Sequence, residues 1–545
     1  MKASIESPIE RVLADFFTER SGLTGDRKTI LWNSVLRLVR ALREGHSCIN
    51  LEYDEISSLA GCRFVSDHGG TPLVMVDKRL YLARYYHYEN RLAGQLSRLA
   101  KVSYPDETMT PLLDLCFEVD SKNVDWQRQA AIIALSKGLC IISGGPGTGK
   151  TSTVVKVIGL LLMHHGIDTR IAVAAPTGKA AMRVRESIIK HIPGLSFDHA
   201  VKHNIPTEAQ TLHRLLGVRR LSPRFIHNSN NPLPWDVIIV DEASMVDLAL
   251  MSKLIDALQK DSRLILLGDR NQLASVETGA VLADCIRALP DNVVELKKTW
   301  RFNKDIAQFA AFVNVGDAEA AWKMVTADDI SAIEKSGRQW LTQAAERYAC
   351  YMKRARQISA PEELASLLEF FDEYQILCAV RHGSRGVNQI NSLIEKYLSL
   401  QGYDCKNEEW YQGRPIIITR NDYHLELYNG DIGICMPDPD NHGEPAIWFA
   451  QGEGRFRSIL PVRLPPHETV WAMTIHKSQG SEFKEVLVVL PEEDSPVLSR
   501  ELLYTAITRA RNRVSILSDE TVCATAIFRK TTRCSGLAKR LMETS

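Results

Sequence analysis

The chain has 545 residues, and its 66 lysines and arginines balance 66 aspartates and glutamates for a formal net charge of zero. Hydrophobic content of 45% and charged content of 24% exclude wholesale disorder, and the length predicts about three or four domains, each with its own core. No apolar run approaches the ~20 residues of a membrane helix, the acids in MKASIESPIERVLADFF argue against export, and eleven cysteines without a CxxC pair exclude a zinc ribbon or disulfide framework and fit a reducing, cytoplasmic compartment.

In chain order, residues 1–115 combine helical patterns (IERVLADFF, SVLRLVRALREG, YENRLAGQLSRLA) with one strand-like stretch, VMVDKRLYLARY, and hold no catalytic constellation. From about residue 124 short β-branched runs alternate with helical stretches: 139–143, 170–175, 236–241, 264–269 and 293–296. A second series covers 374–380, 470–475, 485–490 and 513–517. Apolar runs of this length between helices predict parallel strands buried on both faces, hence an α/β fold in two similar units. Residues 219–235, RRLSPRFIHNSNNPLPW, are turn-rich and predict a protruding β-hairpin, and 411–466 predict a small β-rich insert.

Charge is unevenly spread. Residues 170–190 hold five bases and one acid, 499–545 hold nine bases and four acids, and 101–125 hold six acids and two bases. A neutral total is therefore compatible with a local basic groove, expected near 170–190 and in the C-terminal segment.

The densest chemistry follows the strand LCIIS, where GGPGTGKT (144–151) fits G-x-x-x-x-G-K-[ST]. Gly144, Gly145, Pro146, Gly147, Thr148 and Gly149 form a loop whose amides can approach phosphates, since its glycines carry no Cβ. Lys150 is expected to reach the β/γ-phosphates, Thr151 to bind Mg²⁺, and Ser152 to continue the loop into a helix whose positive end faces the anion. DEAS (241–244) ends another strand; Asp241 there suits the magnesium and Glu242 the attacking water. Gln272 in GDRNQL is placed to sense a γ-phosphate, and Arg301 and Arg509 are candidates to offset charge on the transferred phosphoryl group. Arg509 lies in the second α/β unit, so ATP is expected between domains.

These residues resemble a superfamily 1 helicase across 124–516, through Gln127 in DWQRQA, AAPTGKAA, TLHRLLG, DEASM, GDRNQLASV, TWRF, NGDIG, TIHKSQGSEF and LYTAITRAR. The wording of several, with CAVRHGSRGVNQIN and the ending CSGLA, is similar to the alpha-chain family of exodeoxyribonuclease V, a bacterial helicase–nuclease. The resemblance implies two RecA-like P-loop NTPase domains with parallel sheets, a mostly helical N-terminal domain and a small SH3-like β insert. It divides the chain into a partner-docking domain (1–115), a first RecA-like domain (116–300) with a strand-separating pin near 219–235, a second (301–410 plus 467–545) and the insert (411–466).

By the same resemblance Gln127 reads adenine, while Thr177, Lys179, Thr211, His213, Thr474, His476, Lys477 and Ser478 contact single-stranded DNA without reading sequence. The implied activity is ATP-dependent 5′→3′ unwinding of DNA ends in double-strand break repair and recombination. The implied partners are a RecB-like beta chain, which carries the nuclease, and a RecC-like gamma chain in a heterotrimer. A stand-alone helicase of the same branch and a non-motor ATP-binding assembly subunit are the alternatives. The first usually carries helix–hairpin–helix motifs that 1–115 lacks; the second is expected to have lost some of Lys150, Asp241, Glu242, Gln272 and Arg509.

Overall fold

Strict alternation along buried strands decides how this chain is layered. The computed structural model describes residues 7–544 except 105–108, 118–123, 220, 221, 223, 298–302, 328–332, 336–338, 359, 406–408, 423 and 453. At the N-terminal end, helices Pro8–Arg20, Gly25–Arg43 and Tyr53–Leu59 pack beside a sheet of order β1-β4-β3-β2, built from β1 (Ile49–Asn50), β2 (Val65–Ser66), β3 (Leu73–Val76) and β4 (Arg79–Leu82). Leu31, Val35 and Leu38 recur at helical spacing and meet Phe17, Leu59, Leu73 and Leu80 in one core.

The first parallel sheet contains β5 (Leu139–Gly144), β6 (Ile171–Ala175), β7 (Gln210–Thr211), β8 (Val237–Val240), β9 (Arg263–Gly268) and β10 (Val293–Leu296), in the order β10-β5-β9-β8-β6-β7. Successive side chains point to opposite faces. Leu139, Ile141, Ile238, Val240, Leu264 and Leu266 therefore enter one core, and Cys140, Ile142, Val237, Ile239, Ile265 and Leu267 the other. Each face needs helices, and one face draws them from both ends of the chain. Helix Ala83–Lys101 contributes Leu92, Leu96 and Leu99, and helix Leu537–Thr544 contributes Leu537, Ala538 and Leu541. Helix Ala83–Lys101, expected within the N-terminal domain, and the last residues, expected with the second RecA-like domain, thus share the core of the first parallel sheet. In both cases an apolar helical stripe is buried by the nearest open sheet face, whatever its place in sequence.

The second parallel sheet starts with β11 (Ile333–Lys335) and β12 (Tyr374–Cys378). The chain then departs into an antiparallel sheet of β13 (Pro415–Ile418), β14 (Ile432–Pro437), β15 (Pro445–Gly452), β16 (Arg455–Ile459) and β17 (His467–Thr469), ordered β16-β15-β14-β13-β17. It returns through β18 (Ala472–Thr474), β19 (Phe483–Val489) and β20 (Ala510–Leu517), giving the parallel order β11-β20-β19-β12-β18. The insert shows period two clearly. Ile416, Ile418, Cys435 and Ile447 form its own core, while Ile417, Ile434, Met436 and Trp448 join the core of the second parallel sheet. Residues 219–235 are more irregular than a regular hairpin. Around their described part the isolated antiparallel bridges are Val218–Phe225 and Asn228–Asn231. Among the described residues no helix is long and apolar enough to cross a membrane.

Trp471 is the largest fully buried side chain in the second unit, donating to the Tyr411 hydroxyl at 3.3 Å and lying 5.0 Å from the Tyr348 ring. Trp471→Ala is expected to cost about 3–5 kcal/mol, seen as a lower denaturant midpoint for that unit; an unchanged midpoint would show that this aromatic cluster contributes little.

Candidate functional site

The three strands that carry the sequence motifs lie side by side. β5, β9 and β8 are adjacent in that order and parallel, so their carboxyl ends open on one edge of the sheet. After β5 the loop 144–149 turns through left-handed glycines, Gly147 with φ 75° and Gly149 with φ 87°, into helix Lys150–His165. A Cβ on Gly149 would lie 2.6 Å from the Gln127 amide nitrogen, which places Gln127 against the loop. The Lys150 ammonium donates to the carbonyls of Gly144 (2.6 Å) and Gly145 (3.0 Å), Thr148 donates to Gly145 O, and Ser152 to Gly149 O. Thr151 is partly buried on the first turn of the helix.

At the end of β8, Asp241 is 8% exposed, and its carboxylate accepts from the Glu242 amide at 2.8 Å. Burial pushes the Asp241 carboxyl up to about 6, the Glu242 charge adds to this, and Lys150 opposes it. Glu242 has φ 51°, a left-handed conformation that costs a branched or bulky L-residue about 1–2 kcal/mol and marks a constrained turn. At the end of β9, Asp269 is 2% exposed, accepts from the Gln272 side-chain amide at 3.2 Å, and is held above the usual carboxylate range by burial against the pull of Lys150. Asp269 was missed in sequence because one acid after a strand is usually a solvated loop residue.

The second sheet meets this edge through helix Arg500–Ile507. The Tyr504 hydroxyl donates to Asp269 at 3.0 Å, the Leu273 amide donates to the Thr505 hydroxyl at 3.0 Å, and the Gln479 side chain donates to Leu273 O at 3.1 Å. A cleft of about 350 Å³ lies here, lined by Gly145, Pro146 and Thr148 on one side and by Ala310, Asn314, Tyr504 and Thr508 on the other. Arg509 is 3% exposed; its guanidinium donates to Thr505 O and Ser481 O, and its remaining terminal nitrogen is buried without a partner. A buried guanidinium nitrogen with nothing to bond fits an anionic ligand. Among the expected site residues Arg301 lies outside the described residues, as do Trp300 and Phe302.

A second groove, about 610 Å³, runs between the first sheet, the insert and the second sheet. Lys179, Arg183, Thr211 and Arg214 line it from one side, Tyr428, Arg455 and Arg457 from the insert, and Asp372, Ser481 and Glu482 from the second sheet. A Cβ on Gly178 would lie 2.6 Å from the Tyr428 ring, so the insert seats directly on the helix Gly178–His191. Burial lowers the Lys179 ammonium to about 8, while Asp372 and Asp431 hold it up.

The other expected DNA contacts divide by what their side chains already bond. Thr177 and Thr211 are helix N-caps, accepting from Ala180 N and Arg214 N at 3.2 Å each, and Thr474 accepts from Lys477 N at 3.3 Å. Burial lowers both His213 and His476, so these rings favour the neutral form; His213 sits edge-on to Phe225, 5.7 Å away. The Lys477 ammonium is paired with Glu468 at 2.6 Å. Ser478 is corrected: it is fully buried and donates to Ile475 O, serving its own turn. The basic C-terminal segment is also corrected. Arg511 pairs with Glu482, Arg529 with Asp494, Lys539 with Asp77 and Arg540 with Glu89, so these four charges already have acidic partners.

Residues 127–278 match the AAA domain family, and residues 469–517 match the UvrD-like helicase C-terminal domain. The chain is 39% identical to the RecBCD enzyme subunit RecD of Mycolicibacterium smegmatis over 93% of each chain. It is 35% identical to the subunit of the same name from Haemophilus influenzae, covering 86% of this chain and 81% of that one. The ATP-dependent RecD2 DNA helicase of Deinococcus radiodurans is 30% identical over 80% of this chain, which spans 54% of that longer protein.

Gly149→Ala places a Cβ in a left-handed position already filled by the Gln127 amide. A strain of about 1–2 kcal/mol is roughly a tenfold loss of affinity for a fluorescent ATP analogue; titration giving wild-type affinity would contradict the described loop.

Proposed function

This chain belongs to the RecD family of RecBCD enzyme subunits, and from that membership we propose that it is the ATP-driven DNA helicase subunit of an exodeoxyribonuclease V complex. The observation that carries the motor reading is the set of hydrogen bonds across the cleft. Asp269 and Leu273, which flank the γ-phosphate sensor Gln272, bond directly to Tyr504, Thr505 and Gln479 of the second sheet. A change at the phosphate therefore alters the fit of one RecA-like unit against the other.

The residues have complementary roles. Gln127 and the amides of 144–149 hold the nucleotide, and Lys150 leaves its loop carbonyls for the β/γ-phosphates. Thr151 and Asp241 would hold Mg²⁺, which would supply charge neutralisation on the phosphates. Glu242 orients the attacking water and accepts its proton as the bond to the γ-phosphorus forms and the bond to the leaving ADP breaks. Arg509, with Arg301, offsets charge on the transferred group, which favours the closed cleft; loss of phosphate reopens it. The groove under the insert carries one DNA strand, held by Lys179 and by backbone at the helix ends capped by Thr177 and Thr211. Opening and closing moves the two walls of that groove relative to each other. The segment 219–235 is the element that separates the duplex, and movement is 5′→3′.

The partners proposed are RecB-like and RecC-like chains, with nuclease chemistry on the former, in the cytoplasm, where all eleven cysteines stay free thiols. Correspondence along 93% of the subunit from M. smegmatis supports a subunit over a stand-alone helicase. The intact set Lys150, Asp241, Glu242, Gln272 and Arg509 supports a motor over a passive assembly factor.

Lys150→Gln should reduce single-strand-stimulated ATP hydrolysis by at least about a hundredfold and abolish unwinding of 5′-tailed duplexes, with the circular dichroism spectrum unchanged. Retained DNA-stimulated turnover in that variant would sink the assignment. Failure to co-purify with endogenous beta and gamma chains would restore the stand-alone reading.

A further inference from the structure

The C-terminal ending that includes CSGLA has no place in the cleft, yet it is tied to the cleft through one loop. Its anchor is Glu89, fully buried on helix Ala83–Lys101. That carboxylate accepts from the Ser535 hydroxyl at 3.1 Å and the Gly536 amide at 3.2 Å, and it pairs with Arg540. A side chain at Gly536 has no room, since its Cβ would lie 2.2 Å from the Tyr81 hydroxyl oxygen. From this anchor the Arg533 guanidinium reaches the loop 275–279. It donates to the carbonyls of Ser275 (2.5 Å), Glu277 (2.8 Å) and Gly279 (2.7 Å), a use of its planar fork that lysine cannot reproduce in full.

The same loop is held from the N-terminal side. The Gly279 amide donates to Gly45 O at 2.9 Å, and the Thr278 hydroxyl donates to Leu42 O at 3.3 Å, at the end of helix Gly25–Arg43. Loop 275–279 begins two residues after Leu273, which bridges the cleft, and three after Gln272, which bonds Asp269. Both ends of the chain thus grip the segment that leaves the phosphate sensor.

We infer that Arg533 is a positioning residue for ATP hydrolysis, and that the C-terminal strap and the N-terminal region together hold loop 275–279 so that Gln272 keeps its place in the cleft. This rests on the ATPase reading of the cleft and adds a regulation of it: displacing the N-terminal region slows turnover without contact to the nucleotide.

The test measures DNA-stimulated ATPase of the full-length chain as wild type, R533A, R533K, T278V, Q272A and the double variant R533A/Q272A, with a thermal melt of each. Expected are a kcat about tenfold lower in R533A with nucleotide KM within about twofold, a smaller loss in R533K, and a loss in the same direction in T278V. The double variant is expected to be no slower than Q272A, because both changes act through one side chain. Wild-type kcat in R533A and T278V, effects that multiply in the double variant, or a kcat loss that only tracks the folded fraction would each overturn the inference. If R533A does not fold, R533K and T278V decide by the same criteria. Absence of DNA-stimulated turnover in the wild type would instead count against the helicase reading itself.

Discussion

One buried carboxylate, Asp269, has to be compensated from three directions, and most of the cleft is arranged around that need. It sits at the end of β9 between the phosphate-loop strand and the strand that carries Asp241 and Glu242. Taking such a charge out of water costs several kcal/mol unless it is paired and hydrogen-bonded. Lys150 supplies the opposite charge, Gln272 a side-chain amide, and Tyr504 a hydroxyl from the other parallel sheet. Phosphate loop, Gln272 and the second parallel sheet's Tyr504 thus share one electrostatic centre. A ligand that draws Lys150 away from it changes the balance at the same point where the two sheets meet.

The wider architecture supplies that centre with rigid walls. Each parallel sheet is buried on both faces, which holds its strand ends in fixed positions relative to one another. The insert extends the second wall because the outer face of its sheet is part of the second core: Ile417, Ile434 and Trp448 face inward there while Ile416 and Phe449 build the insert's own interior. Its Tyr428 reaches back over Gly178 on the first sheet. The groove is therefore closed by an element that shares the core of the second sheet while resting against the first.

Much of this was legible in the order of residues. The runs LCIIS, RIAVAA, EVLVVL and RVSIL became the parallel strands they predicted, because β-branched side chains buried on both faces leave little alternative. The phosphate loop was equally legible, since its glycines are demanded by local backbone angles. Hydroxyls were less so. Thr177 and Thr211, expected as DNA contacts, both cap helices, and Ser478 turned inward to the Ile475 carbonyl. Long-range partners left no local mark at all. Asp269 with Tyr504, and Glu89 with Ser535, Gly536 and Arg540, are hundreds of residues apart.

The zero net charge that opens the sequence is composed differently from what its runs implied. Lys179, Arg183 and Arg185 of the cluster at 170–190 do line a groove, but the C-terminal bases Arg511, Arg529, Lys539 and Arg540 are paired with Glu482, Asp494, Asp77 and Glu89. By itself the sequence determined the α/β class, the strand positions, the phosphate loop and the membership of its motifs in one helicase family, because each depends on short-range periodicity or on backbone angles only glycine adopts easily. Tertiary structure alone decided which charges already have partners, which sheet face each terminal helix covers, and which loop joins Leu42, Gly45 and Arg533 next to Gln272. Those outcomes depend on burial and on pairing between distant residues, and neither quantity is carried by neighbours in the chain.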